Sequence, residues 1–215
     1  MKATPMSTIW LRARLAATNL LHDHSGIAAT EFAVIVPIML VMFFGTVEFS
    51  SGVAVDRKVT LVARTLSDLT SQTAVAVDDT YLQNVFTASI AILTPYSATP
   101  TKATLSEIYV DSSKNATVQW SRAATIAAGA SQATLAVSAR KAGDTVTSIV
   151  PPALLVPKTY LIFSEVSYLY TPAVGYVMGK AGVTLADVAY TRPRQVVCVI
   201  YNNLPAANPT PCPTP

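Results

Sequence analysis

Polar and apolar positions divide the chain unevenly. Phe32 to Val47 is a continuous apolar run without a charge, bracketed by Glu31 and Glu48. Weaker apolar shoulders, Ile27–Thr30 and Phe49–Val55, extend it. A helix that crosses a bilayer needs ~20 mostly apolar residues at ~1.5 Å rise each. With its shoulders the run is long enough, and it is apolar on every face, which a buried helix in a chain of this size rarely needs. Residues 27–55 are therefore read as a transmembrane helix. Within it, Pro37 removes one helical hydrogen bond and crowds the carbonyl of Ala33, which predicts a bend.

Beyond the span the spacing becomes amphipathic. Val59, Val62, Leu66 and Leu69 form a seam at three- and four-residue intervals, with Arg57, Lys58, Arg64 and Asp68 on other faces. The helix is expected to run on as a stalk to about Ser71, its seam packing on the chain's own globular domain or on a partner helix. Asp78-Asp79 offers an N-cap for a second helix through Leu82, Val85, Phe86, Ile90 and Leu93. These helices occupy residues 56–94.

From residue 95 the texture turns to Thr, Ser, Ala and β-branched residues. Leu105–Asp111 and Thr117–Arg122 read as a hairpin with Lys114-Asn115 at its tip. Gln132–Arg140 reads as helix or loop, and Ser148–Leu155 as a turn with a short extended piece. Tyr160–Tyr170 is the strongest strand signal, long enough to be central. Val188–Tyr190 and Val196–Tyr201 are further strand candidates. Residues 95–205 thus form a β-rich domain and 206–215 a Pro-rich tail. The fold class is α+β, with a small, mainly antiparallel sheet.

Composition narrows the function. The 215 residues are 51% apolar and 13% charged, and the mean hydropathy is +0.42, so a soluble domain alone is a poor description. Net charge is +3 with scattered basic residues, which gives nucleic-acid binding no support. His22 and His24 lie before the span in a short polar stretch and read as solvated linker rather than metal ligands. The acids Asp111, Asp144, Glu165 and Asp187 are isolated in sequence, Glu165 reading as a solvent-facing strand residue or the partner of Arg192 or Arg194. Without a histidine beyond the leader or a phosphate-binding loop, no enzyme activity, cofactor, metal or small-molecule substrate is expected. Cys198 and Cys212 are either two free thiols or, in an oxidising compartment, a disulfide worth ~3 kcal/mol by loop entropy.

Glu31 is the informative charge. A carboxylate in a spanning helix is unfavourable, by ~2.5–3.5 kcal/mol at the bilayer centre and less towards the interface. Glu31 lies one helical turn after Ile27, which follows Gly26. Cleavage between Gly26 and Ile27 would place a new amino group within a turn of Glu31, or within reach of a neighbouring subunit's Glu31. The carboxylate would also sit in the first turn, where the helix dipole favours it. The leader, residues 1–26, carries Lys2, Arg12 and Arg14, and its apolar run follows the cut, the reverse of a secretory signal.

Gly26, Ile27 and Glu31 ahead of an apolar helix resemble the class III signal of type IV prepilins. The string from Gly26 to Phe49, with Glu31-Phe32-Ala33, Pro37 and Glu48-Phe49, resembles the TadE/TadG-like minor pilins (pseudopilins) of tight-adherence, Flp-type pilus systems. WSRA at Trp120–Ala123, SEVSYLYTPAVGY at Ser164–Tyr176 and YTRPR at Tyr190–Arg194 extend the likeness to about Val197. The chain lacks the metal motif of the von Willebrand-type domain found in some TadG relatives, and so resembles the shorter, TadE-like form. The resemblance implies a prepilin peptidase, other pilins or pseudopilins and pilus assembly proteins as partners. It also implies a single pass through the inner membrane, with the N-terminus cytoplasmic and the C-terminal domain periplasmic. Charge does not decide orientation, because Arg57, Lys58 and Arg64 balance the leader. The alternative function is a signal-anchored module that binds a ligand or envelope component; a membrane-tethered hydrolase is disfavoured by the sparse acid–base residues.

Overall fold

The computed structural model describes residue 10, residue 14 and residues 16–19, 26–172 and 182–202. It is α+β, with a helix α1 (Ile27–Ser71), a helix α2 (Asp79–Ile90) and five antiparallel strands. The chain parts into two compact units, Met1–Val47 and Glu48–Pro215, with the division falling inside α1.

In the first unit, Phe32 to Val47 supplies large apolar side chains that are almost all exposed. The 18-residue window that marks the candidate membrane span has a mean hydropathy of 2.3 and buries nothing. Pro37 lies within this uninterrupted helix, where it has no N–H to offer the carbonyl one turn back.

The second unit is built on the seam. From Glu48 onward α1 begins to bury side chains, and Val55, Val59, Val62, Ala63 and Leu66 are fully enclosed. Asp78 caps α2 by accepting from the Tyr81 N–H at 2.7 Å. A short 3-10 turn, Ala91–Leu93, follows α2, and Lys58 Nζ donates to the Ile92 and Thr94 carbonyls at 2.8 and 2.9 Å. Phe86, Ile90 and Leu93 join the α1 seam in one core against the sheet.

The strands are β1 (Thr101–Val110), β2 (Ala116–Thr125), β3 (Thr134–Val137), β4 (Thr159–Tyr170) and β5 (Val183–Thr191). Their order is β3-β2-β1-β4-β5, so β1 is central and β4 is its interior neighbour. In the β1–β2 turn, Asp111 Oδ1 accepts from the Ser113 and Asn115 N–H groups, and Lys114 takes a positive φ of 66°. A bulge between Glu107 and Ile108 lets Gln119 slip out of register. Its consequence is that Trp120 faces the helices, whereas Val118 joins Ile108, Leu161 and Phe163 in a second core on the opposite face. That face is covered by Val146, Val150 and the segment around the 3-10 turn Pro152–Leu154.

Three expectations need correction. Gln132–Arg140 contains the edge strand β3, which pairs with β2 over four residues. Val196–Tyr201 is not a strand: its one ladder contact is a parallel bridge between Val77 and Tyr201. Glu165 pairs with neither Arg192 nor Arg194. It holds Arg140 through two hydrogen bonds of 2.6 and 2.7 Å, while Arg194 pairs with Asp68.

Candidate functional site

Gly26 is a turn residue and Ile27 opens α1; both are exposed. The Gly26 carbonyl accepts the Thr30 N–H at 3.0 Å, and Thr30 Oγ1 donates to the Ile27 carbonyl at 2.8 Å. The helix therefore starts where the chain would be cut. Among the described residues no atom lies within 4 Å of where a Gly26 Cβ would be, so their packing does not require glycine there. Glu31 is exposed on α1. Because α1 begins at Ile27, Glu31 is its fifth residue and no acidic side chain stands in the first turn. The dipole contribution expected for Glu31 is correspondingly weaker, since it fades within that turn. Were the chain cut before Ile27, the new amino group one turn away would be the stronger counter-charge.

In the second unit, Glu48 is 4% exposed. Its carboxylate is buried and accepts a hydrogen bond from the Tyr170 hydroxyl at 3.2 Å. Higher on the helix, Ser164 Oγ donates to the Ala63 carbonyl at 2.6 Å and Thr191 Oγ1 meets Ser67 Oγ at 2.9 Å. The Arg194 N–H caps α1 by donating to the Ser71 carbonyl at 2.8 Å. These contacts fix residues 48–71 of α1 along the β4–β5 side of the sheet.

The residue that sequence reading missed is Glu107. It lies at the centre of β1 and is 2% exposed. Trp120 Nε1 donates to its Oε2 at 3.1 Å and the Val199 N–H to its Oε1 at 2.6 Å. Trp120 Nε1 also donates to the Val199 carbonyl at 2.7 Å. Burial outweighs the two hydrogen bonds and pushes the Glu107 carboxyl from its ordinary value of 4.5 up to about 8. A signal was available: Glu107 shares the period of two with Ala103 and Leu105, and so falls on the apolar face of its strand.

Glu107 thereby anchors a C-terminal strap, residues 196–202. Tyr201 donates from its hydroxyl to Asp79, Arg122 Nε donates to Tyr201 Oη at 2.7 Å, and Arg122 Nη2 reaches Asp79 at 3.0 Å. Cys198, within the strap, is buried and disulfide-bonded; Cys212 lies outside the described residues, as does the Pro-rich tail.

No curated protein and no solved structure matches the chain. A family model described as TadE-like protein matches residues 26–67, from the glycine before α1 to the last turns of the buried seam. The match stops short of Val197, so the later strings stand outside it. Over residues 26–67 the chain is thus similar to TadE-like proteins.

Proposed function

We propose that the protein is a pseudopilin or minor pilin, made as a precursor and cut between Gly26 and Ile27 by a prepilin peptidase. The exposed apolar half of α1 anchors it in the inner membrane, its N-terminus cytoplasmic and its sheet domain periplasmic. The Ile27 amino group then pairs with Glu31, in the same chain or in a neighbour, and α1, bent at Pro37, joins or primes a pilus. Its partners are other pilus components, and its role is structural rather than catalytic.

One observation carries the reading. An exposed glycine stands directly before the first residue of a long apolar helix, with a carboxylate one turn in. Since nothing among the described residues around Gly26 demands glycine for packing, a peptidase that reads this position supplies a physical reason for it. The test is intact mass and N-terminal sequencing of the full chain co-produced with a prepilin peptidase. Loss of 26 residues, with Ile27 first, is expected. Gly26→Val should block the cut, whereas Glu31→Ala should permit it and impair assembly. A retained leader, or a different first residue, removes the proposal and leaves a signal-anchored binding module.

A further inference from the structure

We propose that one end of the sheet domain rests in the lipid headgroup layer, so that the domain touches the membrane through its own surface as well as through α1. The partner is the bilayer itself. This rests on the membrane-anchored reading of α1.

The argument begins with length. Ile27 to Val47 is ~31 Å of helix at ~1.5 Å per residue, which fills a hydrocarbon core of ~30 Å. Phe49 and Val53 follow within the same helix, ~3 and ~9 Å further along its axis. That is the depth of the interfacial layer. Both stay open on the surface of the second unit, Phe49 at 62% and Val53 at 38% exposure. Asp56 and Arg57, exposed and ~14 Å beyond Val47, mark where water is reached.

The sheet brings further apolar surface to the same level. Tyr170, last residue of β4, bonds Glu48 and lies against Gly52. Tyr170 is register partner of Val183, the first residue of β5, and Leu169 is partner of Thr184. Val183 and Leu169 are 42% and 43% exposed. Phe49, Gly52, Val53, Tyr170, Val183 and Leu185 also line a largely apolar groove together with the charged Asp56. Helix and sheet thus present one apolar rim, continuous in the chain with the candidate span and ending where charge resumes. Glu48, at this level, is turned inward onto Tyr170 and so removes its charge from the rim.

The opposite end of the sheet supplies the control. Val156 is 37% exposed and precedes β4. The eleven steps from Thr159 to Tyr170 span ~36 Å of strand, several times the thickness of the interfacial layer.

The experiment uses the full chain in vesicles of phosphatidylethanolamine and phosphatidylglycerol. The photo-crosslinker p-benzoylphenylalanine is placed singly at Phe43, Leu169, Val183 or Val156, and adducts are identified by mass spectrometry. Leu169 and Val183 should each give about tenfold more lipid adduct than Val156, if the layer is as thin as expected. Lipid adducts at Phe43 without any at Leu169 and Val183 overturn the inference and leave the anchor intact. Protein–protein adducts in place of lipid at those two positions also overturn it, since a second copy then covers the rim. Absence of lipid adducts even at Phe43 overturns the anchor and the inference together.

Discussion

Glu107→Gln separates the charge of the buried carboxyl from its shape. Glu107 titrates near 8 in the folded chain against an ordinary value of 4.5. Between those values the folded state holds one proton more than the unfolded state. Stability is then highest below pH 4.5 and falls as pH rises towards 8, by roughly one to two kcal/mol per pH unit from this group. Glutamine cannot ionise, so that slope should vanish in the variant. At pH 5 the carboxyl is protonated and accepts at its carbonyl oxygen and, more weakly, at its hydroxyl oxygen, whereas the amide keeps only the carbonyl acceptor. Because Trp120 Nε1 has a second acceptor in the Val199 carbonyl, the glutamine oxygen is expected to keep the Val199 N–H. The loss is one hydrogen bond, about 1 kcal/mol at pH 5. The assay is urea unfolding of the oxidised chain in detergent, followed by Trp120 fluorescence in a Trp10→Phe background, from pH 5 to 9. The two stability curves should cross: wild type ahead at pH 5, variant ahead at pH 9. Parallel curves, or a wild-type curve that rises through this range, refute the reasoning.

Three further outcomes follow from packing and backbone geometry. Leu66→Ala empties a fully buried site in the α1 seam and should lower stability by about 2–5 kcal/mol in the same urea assay. Gly182 has a φ of +76°, and an added Cβ would lie 2.7 Å from the Tyr170 carbonyl oxygen. Gly182→Ala should therefore disturb the β4–β5 pairing at that end, seen as faster amide exchange at Val183 and Leu185 with Leu161 unaffected. Arg140→Ala breaks a pair whose side chains are 26% and 32% exposed, and should cost no more than about 1 kcal/mol.

The helical half could be read from the sequence because each of its signals is local. An apolar run, a seam at intervals of three and four, and an Asp before α2 mark these elements. The helix α1 ends at Ser71 as expected, whereas α2 ends at Ile90 and the pattern continues to Leu93 as a 3-10 turn. The β1–β2 hairpin and β4 were equally local. The β3 strand was missed because an edge strand of four residues, largely exposed, shows little of the alternation that burial imposes. The strap failed in the other direction. Val196–Tyr201 has strand-like residues, but β1 already spends its main-chain groups on β2 and β4. Both main-chain groups of Val199 go instead to side chains, Glu107 and Trp120. Such a choice depends on neighbours about eighty and ninety positions away, which no window along the chain contains. Gly26, Ile27 and Glu31 were found from their spacing; where α1 begins, and hence that Glu31 falls past its first turn, required the structure.

The strap also sets an order of events in time. Val199 and Tyr201 complete the core around Trp120 and Phe86, yet Val199 is synthesised 79 residues after Trp120. Helix turns and the hairpin close early, but Glu107 and Trp120 lack their final partners until Val199 has been delivered. A chain held at the membrane with its strap still in transit has an open core there, and any event that waits for the finished domain must wait for residues 199–201 to arrive.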